Sequence, residues 1–264
     1  FKKIARFPKF KSRKHSKPNY PARADDMYFK NGNTVHVAKV GMVKYKTDFD
    51  LPQGKGNKFT NPRISNVNDK WILSFGMECE NQAPVLTDIS MGIDLGVKDL
   101  AIAEFNGTKI TYRNINKTSK MKRLEKQMRH LKRSISRKYE QNRRGNTFVK
   151  TNNIMRSEER LKKMYARMTN IRMNYIHQTT HDLVSLLPKR VVMEDLNVTG
   201  MMKNRHLSKA IQEQCFAEFI RQMQYKCEWN GIEFVQVDRF YPSSKTCSCC
   251  GAIKHDLRLR DRVY

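Results

Sequence analysis

The stretch Met91–Ile110, MGIDLGVKDLAIAEFNGTKI, alternates apolar and polar residues in the two-residue period of a strand, yet carries an acid, Asp94, inside its first apolar run. MGIDL, DLAIAEF and TKITYRNI read as three short strands, and Asn106-Gly107 between the second and third is a strong short-range hairpin signal. A β-meander therefore opens a domain here. An unpaired buried charge is costly, so Asp94 has to be neutralised, paired or bound to a cation. Gly92 and Gly96, two residues to either side, share its face and leave room for a large group to approach.

The sequence on both sides extends this start into an α/β domain. Downstream of the meander, Leu124, Met128, Leu131 and Ile135 recur at helical spacing, as do Leu161, Met164, Met168, Ile171, Tyr175 and Leu183. With the polar turn QNRRGNTFVKTNN between them, they predict a long helical hairpin over about 117–187, its methionines serving as helix–helix packing. KRVVMEDLN then reads as a strand. LSKAIQEQCFAEFIRQMQYKCEWNG reads as one helix with Ile211, Cys215, Phe219, Met223 and Cys227 on its core face and Gly231 as its C-cap, and IEFVQVDRF as a last strand. Strands first, then helices alternating with strands, make a mixed sheet. Upstream, Asn81–Ser90 is a polar linker, and before it a small antiparallel β unit is expected. In DKWILSFGMECE the residues Trp71, Leu73, Phe75, Met77 and Cys79 fall on one half-buried face.

Charge narrows the partners. Lys and Arg number 52 against 25 acids, a formal net charge of +27, and a polyanion is the expected ligand. Nucleic acid is the first candidate; no run of about 18 apolar residues predicts a membrane span, and no signal segment opens the chain. A soluble, cytoplasmic protein is the expectation. The N-terminal FKKIARFPKFKSRKHSKPNYPARADD reads either as a solvated tail or as an arm along a phosphate backbone, the latter through Lys9, Lys11, Arg13 and Lys14 interleaved with Phe7, Phe10 and Tyr20. Residues 117–172 hold 19 Lys/Arg against 4 Glu, and that excess, Lys132, Arg133, Arg137, Arg143 and Arg144 included, destabilises adjacent helices unless a polyanion lies alongside.

Two places invite chemistry. Asp94 and the acid pair Glu194-Asp195 sit on strands, and carboxylates fixed at neighbouring strand ends are what Mg²⁺ ions need to clamp a phosphate. A turn or cap role is the alternative, and spacing leaves Glu194 and Asp195 as rivals. In TCSCCG, Cys247 and Cys250 have the CxxC spacing of a zinc knuckle, with a redox pair as the other reading; Cys249 is an extra thiol, and His255 is the one later donor of that kind.

Taken in order, GIDLGVKDLA, the basic helical hairpin, VVMEDLNVTGM, YKCEWNG and FYPSSKTCSCCG resemble the OrfB/TnpB family of insertion-sequence proteins, which are similar to compact type V CRISPR effectors. The resemblance implies an RNase H-like, RuvC-type nuclease domain and an RNA-guided DNA endonuclease of a mobile element. It matches Asp94 to the first metal-binding Asp and Glu194, rather than Asp195, to the second acid, both on Mg²⁺. Cys247 and Cys250 match the first half of a structural Zn²⁺ ribbon. It divides the chain into a basic arm and wedge-like β region over 1–88, the nuclease domain over 89–240 and a partial zinc ribbon over 241–264. Guide RNA and target DNA are the implied partners of a monomeric ribonucleoprotein, with base pairing reading the sequence. The family's third acid and second CxxC are not matched, and Asp261 matches the ribbon stem. With Phe1 at the start and charged residues around Tyr264, the chain reads as a piece of a longer protein that does not cut DNA by itself. A nuclease-inactive RNA-guided DNA-binding protein of the same fold is the alternative.

Overall fold

The computed structural model describes residues 18–67, 70–78, 84–238, 246–247 and 250–254. Lys9, Lys11, Arg13, Lys14, Cys79, Cys249, His255 and Asp261 lie outside them. The chain divides into two compact units, Phe1–Asn81 and Gln82–Tyr264.

The first unit is all β. Its strands are β1 (Asn19–Pro21), β2 (Tyr28–Lys30), β3 (Thr34–Val37), β4 (Gly41–Lys44), β5 (Phe59–Val67) and β6 (Lys70–Met77), in two three-stranded antiparallel sheets ordered β1-β5-β6 and β2-β3-β4. Phe29, Phe59 and Phe75 meet with ring centroids 5.1–5.4 Å apart, and Met27, Val35 and Val37 complete the core. The reading of β6 needs correction. Leu73 and Phe75 face this core, but Trp71 and Met77 are exposed, because the short partner sheet covers only the middle of the longer strand.

The second unit is mixed α/β. Strands β7 (Ser90–Leu95), β8 (Asp99–Phe105) and β9 (Thr108–Arg113) form the expected antiparallel meander. The turn between β8 and β9 places Asn106 at φ +51° and Gly107 at φ +72°, left-handed values that these two residue types tolerate best. After a 3₁₀ turn (Ile115–Lys117) come α1 (Ser119–Gln141), the two-residue strands β10 (Arg143–Arg144) and β11 (Thr147–Phe148), and α2 (Asn152–Val184). Then follow β12 (Arg190–Glu194), the short α3 (Val198–Met201), α4 (Ser208–Gln214), α5 (Phe216–Trp229) and β13 (Glu233–Val237). The sheet order is β13-β12-β7-β8-β9, with β12 parallel to both β7 and β13.

One face of this sheet is sealed. Met91 and Ile93 of β7, Leu100, Ala101 and Ala103 of β8, and Val191 and Met193 of β12 pack with Ile176 and Leu183 of α2 and with Phe219, Met223 and Cys227 of α5. Cys227 is fully buried, and loss of hydration pushes its thiol up to about 12. The helix read through Cys215 is in fact two. Cys215 adopts φ +54°, ψ +43°, a left-handed conformation that breaks the chain between α4 and α5. The four-residue apolar spacing survives across that break, which is why the pattern looked continuous. The segment read as a polar turn is also more structured than its composition suggests. Arg143 pairs with Phe148 and Arg144 with Thr147, across a Gly145 at φ +59°.

Candidate functional site

Strand alternation decides where the acids point. In β7 the buried residues are Met91 and Ile93, so Gly92 and Asp94 face the open side; in β12 Val191 and Met193 are buried, and Glu194 is exposed. The parallel register aligns Val192 with Gly92 and Met193 with Ile93, which brings Glu194 to the level of Asp94 at the carboxyl ends of the two strands. Both acids therefore stand on one edge of rigid sheet. A Cβ at Gly92 would meet nothing within 4 Å, so the face beside Asp94 is open. Gly96 serves the turn instead: a Cβ there would press on the Asp99 carbonyl at 3.2 Å, and its own carbonyl accepts from Gln214 Nε2 at 2.9 Å.

The electrostatics bind the two acids into one site. The Asp94 carboxyl is held above its ordinary value, first by loss of hydration and second by the negative charge of Glu194, while a bond to the Leu95 backbone works the other way. A half-buried carboxylate next to a second negative charge makes a ready ligand pair for a hard divalent cation, which relieves both the repulsion and the lost hydration. Such an ion takes six or more oxygen ligands, and no cluster of three or more His, Cys, Asp or Glu among the described residues is placed to hold a metal. The pair fits part of a Mg²⁺ site. Asp195 follows β12, and its backbone N–H donates to the Val237 carbonyl at 3.1 Å, carrying the β12–β13 pairing one residue past the strand.

The edge is braced from below. Asn114 Nδ2 donates to the Val97 carbonyl at 2.8 Å, and Lys117 Nζ to the Lys98 carbonyl at 3.1 Å, so the start of α1 is tied to the turn that follows Asp94. Arg172 of α2 bonds Asn116 Oδ1 at 2.7 Å and pairs with Glu213 of α4 at 3.3 Å. Gln214, 2% exposed, is the buried amide that closes the brace. Asn114, Arg172 and Gln214 carry no distinguishing signal in the sequence, because single polar residues at a helix end, or one arginine on a helix rich in basic residues, look like ordinary surface.

The predicted basic residues that are described fall on α1 and its tip. Lys132, Arg133 and Arg137 are exposed and line a shallow cleft together with Arg129, His130 and Ser136; Arg143 and Arg144 are exposed on β10. Near the two cysteines, the Cys247 N–H donates to the Ala252 carbonyl at 2.9 Å and the Gly251 N–H to the Cys247 carbonyl at 3.0 Å; the Cys250 side chain is exposed. Among the described residues no group of three or more His, Cys, Asp or Glu that could hold a metal includes them.

With this geometry established, comparison with known proteins identifies the lineage. A family model described as "Probable transposase", OrfB_IS605, matches residues 74–205, half of the 264-residue chain. The chain belongs to the OrfB_IS605 family. A second model, "Cas12f1-like, TNB domain", matches residues 216–264 of this OrfB_IS605 chain and includes both Cys247 and Cys250. Among curated relatives, a "Putative RNA-guided DNA endonuclease" of Streptomyces pristinaespiralis is 28% identical over all of the chain and 61% of its own length. "Putative RNA-guided DNA endonuclease InsQ" of Escherichia coli K12 is also 28% identical, over all of the chain and 64% of its own length. The chain thus spans about three fifths of these relatives. A solved structure, "Cryo-EM structure of the Cas12f1-sgRNA-target DNA complex", superposes with a TM-score of 0.50 at 18% identity, covering 76% of this chain and 40% of that one. That likeness speaks to the fold, a mixed α/β architecture shared with a Cas12f1 protein.

Proposed function

We propose that this chain carries the nuclease centre of an RNA-guided DNA endonuclease encoded by a transposable element. The sheet order, three antiparallel strands followed by two parallel ones, supports reading it as an RNase H-like, RuvC-type domain. The observation that carries the reading is the coupling of Asp94 to Glu194 across adjacent strand ends. Asp94 and Glu194 would hold Mg²⁺, which when bound supplies Lewis-acid activation of a scissile phosphate and of the attacking water. What the chain itself does is position and charge. The sheet fixes both carboxylates, Gly92 keeps the approach open, and the basic face of α1 and α2 draws the phosphate backbone toward that edge.

Guide RNA and target DNA are the partners in this reading, in a ribonucleoprotein with one copy of the protein, supported by the names of the curated relatives and by the excess of Lys and Arg over acids. Cys247 and Cys250 would form one half of a structural Zn²⁺ site that stiffens the region matched by the TNB model. The full metal centre needs a third acid besides Asp94 and Glu194, and the zinc site a second pair of thiols. No helix among the described residues is long and apolar enough to cross a membrane, in keeping with cytoplasmic action on DNA.

The experiment is cleavage of a guide-matched DNA by the natural full-length protein purified with its RNA. Asp94→Ala should abolish cutting while leaving DNA binding within about threefold, since the lost group would hold Mg²⁺ at the scissile phosphate and is not part of the wider interface. Undiminished cutting would overturn the assignment.

A further inference from the structure

The stalk formed by α1 and α2 has a feature that neither the sheet nor the acid pair explains. α1 begins at the catalytic edge, tied there through Asn114 and Lys117, and runs for 23 residues, which at 1.5 Å per residue is roughly 35 Å. Met121, Leu124 and Met128 of α1 and Met168 of α2 make a small core of their own, separate from the one under the sheet. Lys132 of α1 sits over the Tyr165 ring of α2 at 5.0 Å.

At the far end stands the β10–β11 finger, and it is built to be rigid. Tyr139 meets the Phe148 ring edge-on at 6.0 Å and donates its hydroxyl to Glu158 at 2.6 Å. Lys150 pairs with the same Glu158, Lys138 donates to Ser157, and Thr147 Oγ1 closes the turn on the Arg144 carbonyl. The finger nonetheless leaves Arg143 and Arg144 exposed and leaves Phe148 49% and Val149 37% exposed, with the Arg143 guanidinium 5.8 Å from the Phe148 ring centre. Order this costly, far from the core and ending in arginines beside apolar surface, suits a ligand that is both anionic and able to take an apolar contact. Duplex nucleic acid is such a ligand, with phosphates on its rims and sugar or base surface in its grooves, and a two-stranded ribbon is narrow enough to enter a groove.

We propose that the Arg143–Phe148 finger grips a nucleic-acid duplex about one helical turn from the edge that carries Asp94 and Glu194. The span follows from geometry, because one duplex turn is about 34–36 Å, close to the length of α1. The proposal rests on the nuclease reading for the identity of that edge and not for the contact itself.

The test uses the full chain, two probes of about 30 base pairs, some three turns, one DNA duplex and one RNA–DNA hybrid, and two readouts that do not involve cutting. In hydroxyl-radical footprints, Arg143→Ala/Arg144→Ala should lose one patch of protection about ten nucleotides from a patch that remains. In salt titrations of binding, the slope of log K against log salt should fall by up to about 2. Lys189→Ala/Arg190→Ala removes the same charge from the opposite end of the sheet and should leave both readouts unchanged. Phe148→Ser should weaken binding without altering the slope. The probe whose footprint changes identifies the duplex. An unchanged footprint and slope on both probes, or an equal loss in the Lys189/Arg190 variant, would overturn the proposal. Loss of the distal patch together with undiminished cutting by Asp94→Ala in the natural full-length protein would uphold the finger and sink the nuclease reading.

Discussion

Asp94 is an acid that the fold holds against its own preference. Its raised proton affinity means that the folded state favours the neutral carboxyl, so ionisation works against folding, and stability from this group declines as pH rises from the ordinary carboxylate value through the raised one. Asp94→Asn should therefore stabilise the fold at neutral pH, by no more than about 1 kcal/mol once solvent screening is allowed for, while removing cleavage; chemical denaturation checks the first effect. Glu194→Gln should lower the Asp94 titration midpoint, as read by NMR of the side-chain carboxyl, since one of the two causes of the shift is gone. An unmoved midpoint would mean that the two acids do not share a site. Glu218 has the opposite sign. Its bonds to Arg221 and Gln222 hold it down at about 2, so the stability it gives is complete above the ordinary Glu value and is lost as pH falls toward 2. In acid unfolding, Glu218→Gln should flatten the profile between about pH 4.5 and 2.

Among the elements, the stalk and the sheet have separate cores, which sets an expectation for local stability. Met128→Ala empties a buried position of the stalk and should cost about 2–5 kcal/mol locally. Amide exchange should rise along α1 and the first half of α2 while β7, β8 and β12 stay protected. How far the elements were legible follows the same division. The meander was readable because Asn106-Gly107 and the two-residue period describe local backbone, and the stalk because Leu124, Met128, Met164 and Met168 keep the helical period. The break at Cys215 was hidden because a left-handed cysteine has no composition signal and the core face continues across it. The exposed Trp71 was misread because alternation tells which residues share a face, while the extent of the partner sheet decides how much of that face is covered. The finger left a trace in Gly145-Asn146, a hairpin dipeptide flanked by too few strand-forming residues to weigh against the surrounding charge. Asp94 was visible as an anomaly, but its coupling to Glu194 depends on a parallel register between segments about 100 residues apart, which sequence pattern alone does not carry.

For the whole molecule, a formal charge of +27 means that binding to any polyanion should weaken steeply with salt. If the protein makes six to ten phosphate contacts, affinity should fall by about 10³–10⁵ between 50 and 200 mM salt; a flat salt response would remove the electrostatic basis of the account. The central claim is narrower, namely that Asp94 and Glu194 form one catalytic pair at the edge of the β7–β12 sheet. The most direct measurement compares guided DNA cleavage by the full-length protein with its Asp94→Ala, Glu194→Gln and doubly substituted forms, each assayed for DNA binding in parallel. A shared site predicts that each single substitution abolishes cutting, that the double loses no more than either single, and that binding is preserved in all three. Cutting that persists in either single variant, or losses that multiply in the double, would contradict it.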